Sequence, residues 1–228
     1  MNDMSIDASW GERDVSTLEA QAFAREFGPD RNSQSGITTT LERFPHACQV
    51  RGMFFDGLAN VVRKKLGAIE TNELMDRVGV PRRCVGFALY PHRDFYKLYF
   101  AAAPRLHPSV SFADALGRIA ETFYPVFRES MLGRTMAPLM GREPAKILSR
   151  LAQAYSISIP WNEHKLTPGG DSAATWECRV EPSTFYPNTL RGIVRGTLAS
   201  HDVDDARVEV VSVQELSDQS RYTFEITW

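Results

Sequence analysis

Hydrophobic residues change period once along this chain. Between about residues 53 and 155 they recur every three or four positions, as on a helix with one buried stripe; beyond about residue 173 they alternate, as on a strand with one buried face. At the C-terminus Tyr222, Phe224, Ile226 and Trp228 alternate with Arg221, Thr223, Glu225 and Thr227, the pattern of a half-buried antiparallel strand. Val208 and Val210 belong to its neighbour, with Ser217-Asp218-Gln219-Ser220 as the turn. Trp176, Cys178 and Val180 alternate with Thr175, Glu177 and Arg179, and Tyr155, Ile157 and Ile159 read as a further strand. One helix, from about Pro187 to Ala199, interrupts the strands. The order is α+β: a helical N-terminal half packed against a C-terminal antiparallel sheet carrying one long helix, not an alternating parallel arrangement.

The helical half reads in the same way. Met53-Phe54-Phe55 opens a helix to about Leu66, with Leu58, Val61 and Val62 on one face and Gly67 as its stop. A second helix, from about Ile69 to Val78, ends at Gly79-Val80-Pro81. From Asp94 to about Ala103, Phe95, Leu98, Tyr99 and Ala102 form a stripe that Pro104 should end. Ser111 is placed to cap a helix with Phe112, Ala115, Leu116, Ile119 and Phe123 inward, and Pro125 should kink or end it. A helix over about 143–155 turns Ile147, Leu148, Leu151 and Tyr155 inward. In the helix after Pro187, Leu190, Ile193, Val194 and Leu198 face in, while Gly192 and Gly196 stand four apart. Each such glycine costs about 1 kcal/mol relative to alanine. Close packing within the domain, or against a second copy of the chain, would compensate.

Residues 1–45 differ: they read as a polar N-terminal extension, partly disordered, ahead of one domain over 46–228. Leu18, Ala22 and Phe23 share one face of a short helix over roughly 15–26, and Phe27 to Gly36 reads as a loop or linker. The chain carries 26 basic and 28 acidic residues with no long block of one sign, so neither nucleic acid nor an anionic membrane is an expected partner. Three cysteines, Cys48, Cys84 and Cys178, with no apolar stretch near Met1, point to reduced thiols and a cytoplasmic protein. No cysteine or histidine pair has zinc spacing.

Six short pieces punctuate this order. They are Arg51-Gly52-Met53-Phe54-Phe55, Val78-Gly79, Tyr90-Pro91 followed by Asp94-Phe95, Ala115-Leu116-Gly117-Arg118, Leu190-Arg191-Gly192-Ile193, and the closing strand into Trp228. Together, over about 51–228, they resemble the haem nitric oxide/oxygen binding (H-NOX) fold, and within it a large paralogous family of myxobacteria. The resemblance implies a sensor domain. It also locates the haem determinants. The position of the iron-binding histidine falls near Ile147, on a helix with no histidine between Arg142 and Tyr155. The propionate-binding Tyr-x-Ser-x-Arg positions fall on Val180, Pro182 and Thr184. A dianionic macrocycle without ligand or counter-charge would be poorly held, so no cofactor is expected. The related 4-vinyl-reductase-type sensor domains often carry a cysteine-rich zinc site; three dispersed cysteines do not reproduce it.

With haem absent, the resemblance leaves a space between helices and sheet lined by Phe54, Phe123, Tyr124, Ile147, Leu151 and Val180. Either it persists as an apolar pocket, with Tyr124 orienting a ligand, or these side chains fill it. The remaining polar candidates read blandly. Cys178 is a small core group, and Cys84 is an ordinary loop cysteine unless Arg82 and Arg83 lower its pKa. His92 and His107 take capping or surface roles, and His164 and Asp171 lie in a Gly-Pro-rich loop. No GxSxG, HExxH, P-loop or GxGxxG motif occurs, so an enzyme is not expected. Two functions remain. One is a haem-free sensor for a small apolar or aromatic molecule; the other is a protein-interaction module with a filled core. A protein partner is expected in either case.

Overall fold

Polar residues dominate the start of the chain, yet their spacing builds two packed helices. The computed structural model describes residues 16–129, 131–136 and 140–228. Ser16 and Glu19 form a reciprocal capping box that starts α1 (Thr17–Phe27). Asp30 then accepts from the Ser33 backbone N–H at 2.9 Å and starts α2 (Arg31–Arg43). The loop expected over 27–36 is therefore confined to 28–30. Ala20, Ala24, Phe27, Ile37 and Leu41 enter the same core as the rest of the chain. Gly36 lies against the Phe185 ring, and Arg43 bonds Glu215 and the Leu216 carbonyl. The described part of the extension is thus ordered helix on the domain, and residues 1–15 lie outside the described residues.

The helical half matches the expected stripes, with three differences. A small ribbon of β1 (Gln49–Arg51) and β2 (Leu89–Pro91) brackets α3 (Met53–Leu66) and α4 (Ala68–Arg77). Gly67 joins those helices at φ 87°, a conformation that L side chains rarely adopt. First, α5 (His92–Leu106) starts at His92 and keeps Pro104 inside its last turns. Second, the break expected at Pro125 falls a few residues before it. α6 (Phe112–Glu121), capped by Ser111, stops at Thr122, and α7 (Phe123–Glu129) begins with Pro125 in its first turn, where a missing N–H costs nothing. Third, α8 (Met131–Met136) is followed by α9 (Pro144–Ser158), which absorbs Tyr155 and Ile157. The strand expected over Tyr155 to Ile159 is therefore helix and turn.

The edge strand lies a few residues later. β3 (Glu163–Pro168) pairs with β4 (Ala173–Val180), so His164 sits on a strand rather than in a loop. After α10 (Tyr186–Ala199) come β5 (Arg207–Glu215) and β6 (Ser220–Thr227), giving an antiparallel sheet of order β3-β4-β6-β5. Trp176 faces Phe224 across β4 and β6, and both are fully buried. A bulge between Val210 and Ser212 ends the regular alternation of β5 and leaves Val211 and Val213 exposed. No helix of the described residues is long and apolar enough to cross a membrane.

The glycine pair on α10 explains how helices and sheet join. A Cβ at Gly192 would lie 2.1 Å from the Gly117 carbonyl oxygen, and one at Gly196 would lie 1.9 Å from that of Glu121. Backbone meets backbone here, so the pair is used for packing within the chain, against α6. Gly57, inside α3, has no atom within 4 Å of the place a Cβ would take. We expect Gly196→Ala to cost about 3 kcal/mol and to lower the melting temperature by roughly 6–10 °C. Gly57→Ala should instead raise stability by about 0.5–1 kcal/mol. Calorimetry of the two variants checks both signs.

Candidate functional site

Helices α3, α5, α7 and α9 bring a layer of aromatic rings together. Phe54 meets Phe95 edge-on at 6.1 Å and Tyr155 at 5.8 Å; Phe123 meets Phe95 at 6.0 Å and Tyr99 at 5.6 Å. Phe95 and Tyr99 are buried, whereas Phe54, Phe123 and Tyr155 are partly exposed. Ile147 and Leu151 of α9 and Val180 at the end of β4 are buried in the same core. Tyr124 is directed elsewhere: its hydroxyl is 2.7 Å from His201 Nε2, just past α10. It does not serve as the polar contact of this layer. An open groove of about 670 Å³ lies near the end of α10, lined by Glu121, Arg195, Asp204, Asp205 and Arg207 among others, and has none of the expected pocket residues.

The polar groups beside the rings come from the sheet. His164, read from sequence as loop, projects from β3 against Tyr155 and Trp176, with its Nδ1 accepting from Trp176 Nε1 at 3.2 Å. Its Nε2 is buried without a hydrogen-bond partner. Burial holds this ring down to about 4 against a nearby Glu181 that favours the protonated form.

A second buried group was missed by sequence reading. Cys48 precedes β1, His92 opens α5 and Glu181 follows β4, and one ligand-type atom from each lies within 4.8 Å of the others. Cys48 Sγ is 3.5 Å from His92 Nδ1, which is 3.7 Å from Glu181 Oε2. Tyr96, one turn along α5, donates to Glu181 Oε1 at 2.7 Å. Glu181 Oε2 is buried and makes no hydrogen bond. Phe44 covers the group, its ring 5.4 Å from His92 and 5.2 Å from Tyr96. His92 therefore has no surface or capping role; burial lowers its pKa, and Glu181 opposes that. Separations of 44 and 89 residues between consecutive members left no spacing signal.

The other thiols are quiet. Burial, then Asp56, pushes Cys84 up to about 11, in keeping with an ordinary loop cysteine and not with lowering by Arg82 and Arg83; Arg82 is paired with Asp76. Burial is also the main cause that pushes Cys178 up to about 12.

With this geometry in place, the comparisons define the class. The chain adopts the fold of H-NOX domains: an oxygen-binding H-NOX domain related to soluble guanylate cyclases, in its oxygen complex, superposes with a TM-score of 0.62 at 14% identity, covering 78% of this chain and 94% of that one. A point mutant of the T. tengcongensis H-NOX gives 0.61 at 14% identity over 78% and 96%. A structure concerned with haem redox potential and protein-induced porphyrin distortion gives 0.62 at 14% over 78% and 99%. At such identity the likeness is one of fold. By sequence, residues 45–228 match the family described as "Protein of unknown function (DUF2378)", and the chain belongs to that family. No curated protein sequence matches it.

The His164 environment has a consequence for stability. Its pKa is depressed from 6.5 to about 4, so between those values the unfolded chain binds the proton and the folded chain does not. Stability is therefore complete above about pH 6.5 and is lost as pH falls toward 4, by about 3 kcal/mol from this group. Urea unfolding should show that decline. His164→Gln, which keeps an acceptor for Trp176, should flatten it.

Proposed function

We propose that the chain is a haem-free sensor domain whose apolar pocket, between the helical half and the sheet, takes a small hydrophobic or aromatic molecule. The supporting observation is the ring layer: partly exposed Phe54 and Phe123 rest on buried Phe95 and Tyr99, and partly exposed Tyr155 stands edge-on to Phe54. A flat apolar guest that moves the outer rings would keep aromatic contact on both faces. Its binding would shift how α3, α7 and α9 pack, and a protein partner would read the shift.

Haem suits this interior badly. Buried Ile147 stands near the place of the iron-binding histidine, and α9 has no imidazole. The segment at the place of the propionate clamp carries the buried carboxylate of Glu181, of the same sign as a propionate. Phe54 and Tyr155 already touch. The residues do not fit the group, since a buried anion needs a partner of opposite charge. Membership of a haem-free myxobacterial set belongs to the same proposal.

One observation favours a second reading, an interaction module with a filled core. Val85, Phe87 and Leu89, between α4 and α5, are 61%, 68% and 43% exposed, an apolar loop suited to a protein partner.

Thermal-shift measurements with indole, 1-naphthol and decanoic acid separate the two. At ten times its Kd, a ligand raises stability by about 1.4 kcal/mol, a shift of roughly 3–6 °C. We expect at least one probe to do so, and Phe54→Ala to change its affinity. No shift from any probe would favour the filled core. After incubation with hemin and desalting, the protein should carry no Soret band; a retained band with one iron per chain would refute the haem-free reading.

A further inference from the structure

We propose that Cys48, His92 and Glu181 form a binding site for one divalent transition-metal ion, of which zinc fits best. The three atoms Cys48 Sγ, His92 Nδ1 and Glu181 Oε2 converge from three separate elements. Ideal tetrahedral zinc, with bonds of about 2.3 Å to sulfur and about 2.0 Å to nitrogen and oxygen, places S and N about 3.5 Å apart and N and O about 3.3 Å apart. The observed 3.5 Å and 3.7 Å lie within a few tenths of an ångström of these values.

Charge and hydrogen bonding support the same assignment. Glu181 is 1% exposed, and its Oε2, on the His92 side, makes no hydrogen bond. A buried carboxylate oxygen is costly unless something positive meets it. A thiolate and a carboxylate with neutral imidazole carry two negative charges, which one divalent ion cancels. Tyr96 occupies the other carboxylate oxygen at 2.7 Å, leaving Oε2 to the ion as its single contact from that group. Such an outer hydrogen bond fixes a ligand's orientation and basicity. Sulfur, imidazole and carboxylate together favour zinc over magnesium or calcium, which take oxygen. Three protein ligands leave a fourth position for water or another small ligand.

This site does not depend on the aromatic pocket. It ties the Cys48 segment and α5 to the end of β4, so metal binding would stabilise the junction of helices and sheet.

The test uses the full chain, stripped with a chelator and titrated with Co²⁺ or Zn²⁺. We expect one ion per chain, a higher melting temperature with Zn²⁺, and a thiolate-to-cobalt charge-transfer band with Co²⁺. Cys48→Ser should abolish that band, and Cys84→Ser should keep it. Tyr96→Phe retains every ligand and should weaken zinc binding by about 10–100-fold. It therefore carries the test even if Cys48→Ser fails to fold. Lack of a cobalt–thiolate band and of zinc stabilisation in the wild-type chain would overturn the proposal. So would a band that survives in folded Cys48→Ser, or unchanged affinity in Tyr96→Phe.

Discussion

The architecture depends on how closely α10 can approach α6. The sheet has an apolar face that helices must cover, and the last long helix lies between that face and the helical half. At Gly192 and Gly196 the distance to the α6 carbonyls leaves no room for a methyl group. The two glycines are poor helix formers, and the dense packing they permit offsets that weakness. α10 also packs against β5, which pairs with β6 and through it joins β4.

The fold holds two kinds of interior. On one side is a ring layer with partly exposed outer members. On the other, beneath Phe44, a cysteine, a histidine, a glutamate and a tyrosine are held together out of water. Apolar rings can repack around a guest at modest cost, because dispersion is not directional. A buried polar group has no such freedom: each donor and acceptor needs a partner of the right geometry. The first interior can therefore rearrange more readily than the second.

The likeness to H-NOX domains, at 14% identity, is one of architecture. Function is carried by side chains mounted on a scaffold. In this chain the scaffold carries Ile147 on α9 and Val180 at the end of β4 as buried core residues. The N-terminal helices are part of the same body: Ile37 and Leu41 are core residues, and Gly36 lets α2 lie against Phe185.

By itself the sequence determined the helix-then-sheet order, the alternation along β4 and β6, the cap at Ser111, and the buried stripes, because each is set by neighbours a few residues apart. Local signals also misled where two readings competed: Tyr155, Ile157 and Ile159 alternate like a strand but complete a helix and its turn, and a polar stretch after Phe27 hides α2. Of the site, Phe54 and Phe123 were legible as apolar residues on stripes, whereas the direction of Tyr124 was not. Only the tertiary structure decided that Cys48, His92 and Glu181 share one buried point. Their meeting depends on three elements packing in three dimensions, and no periodicity in the chain records that.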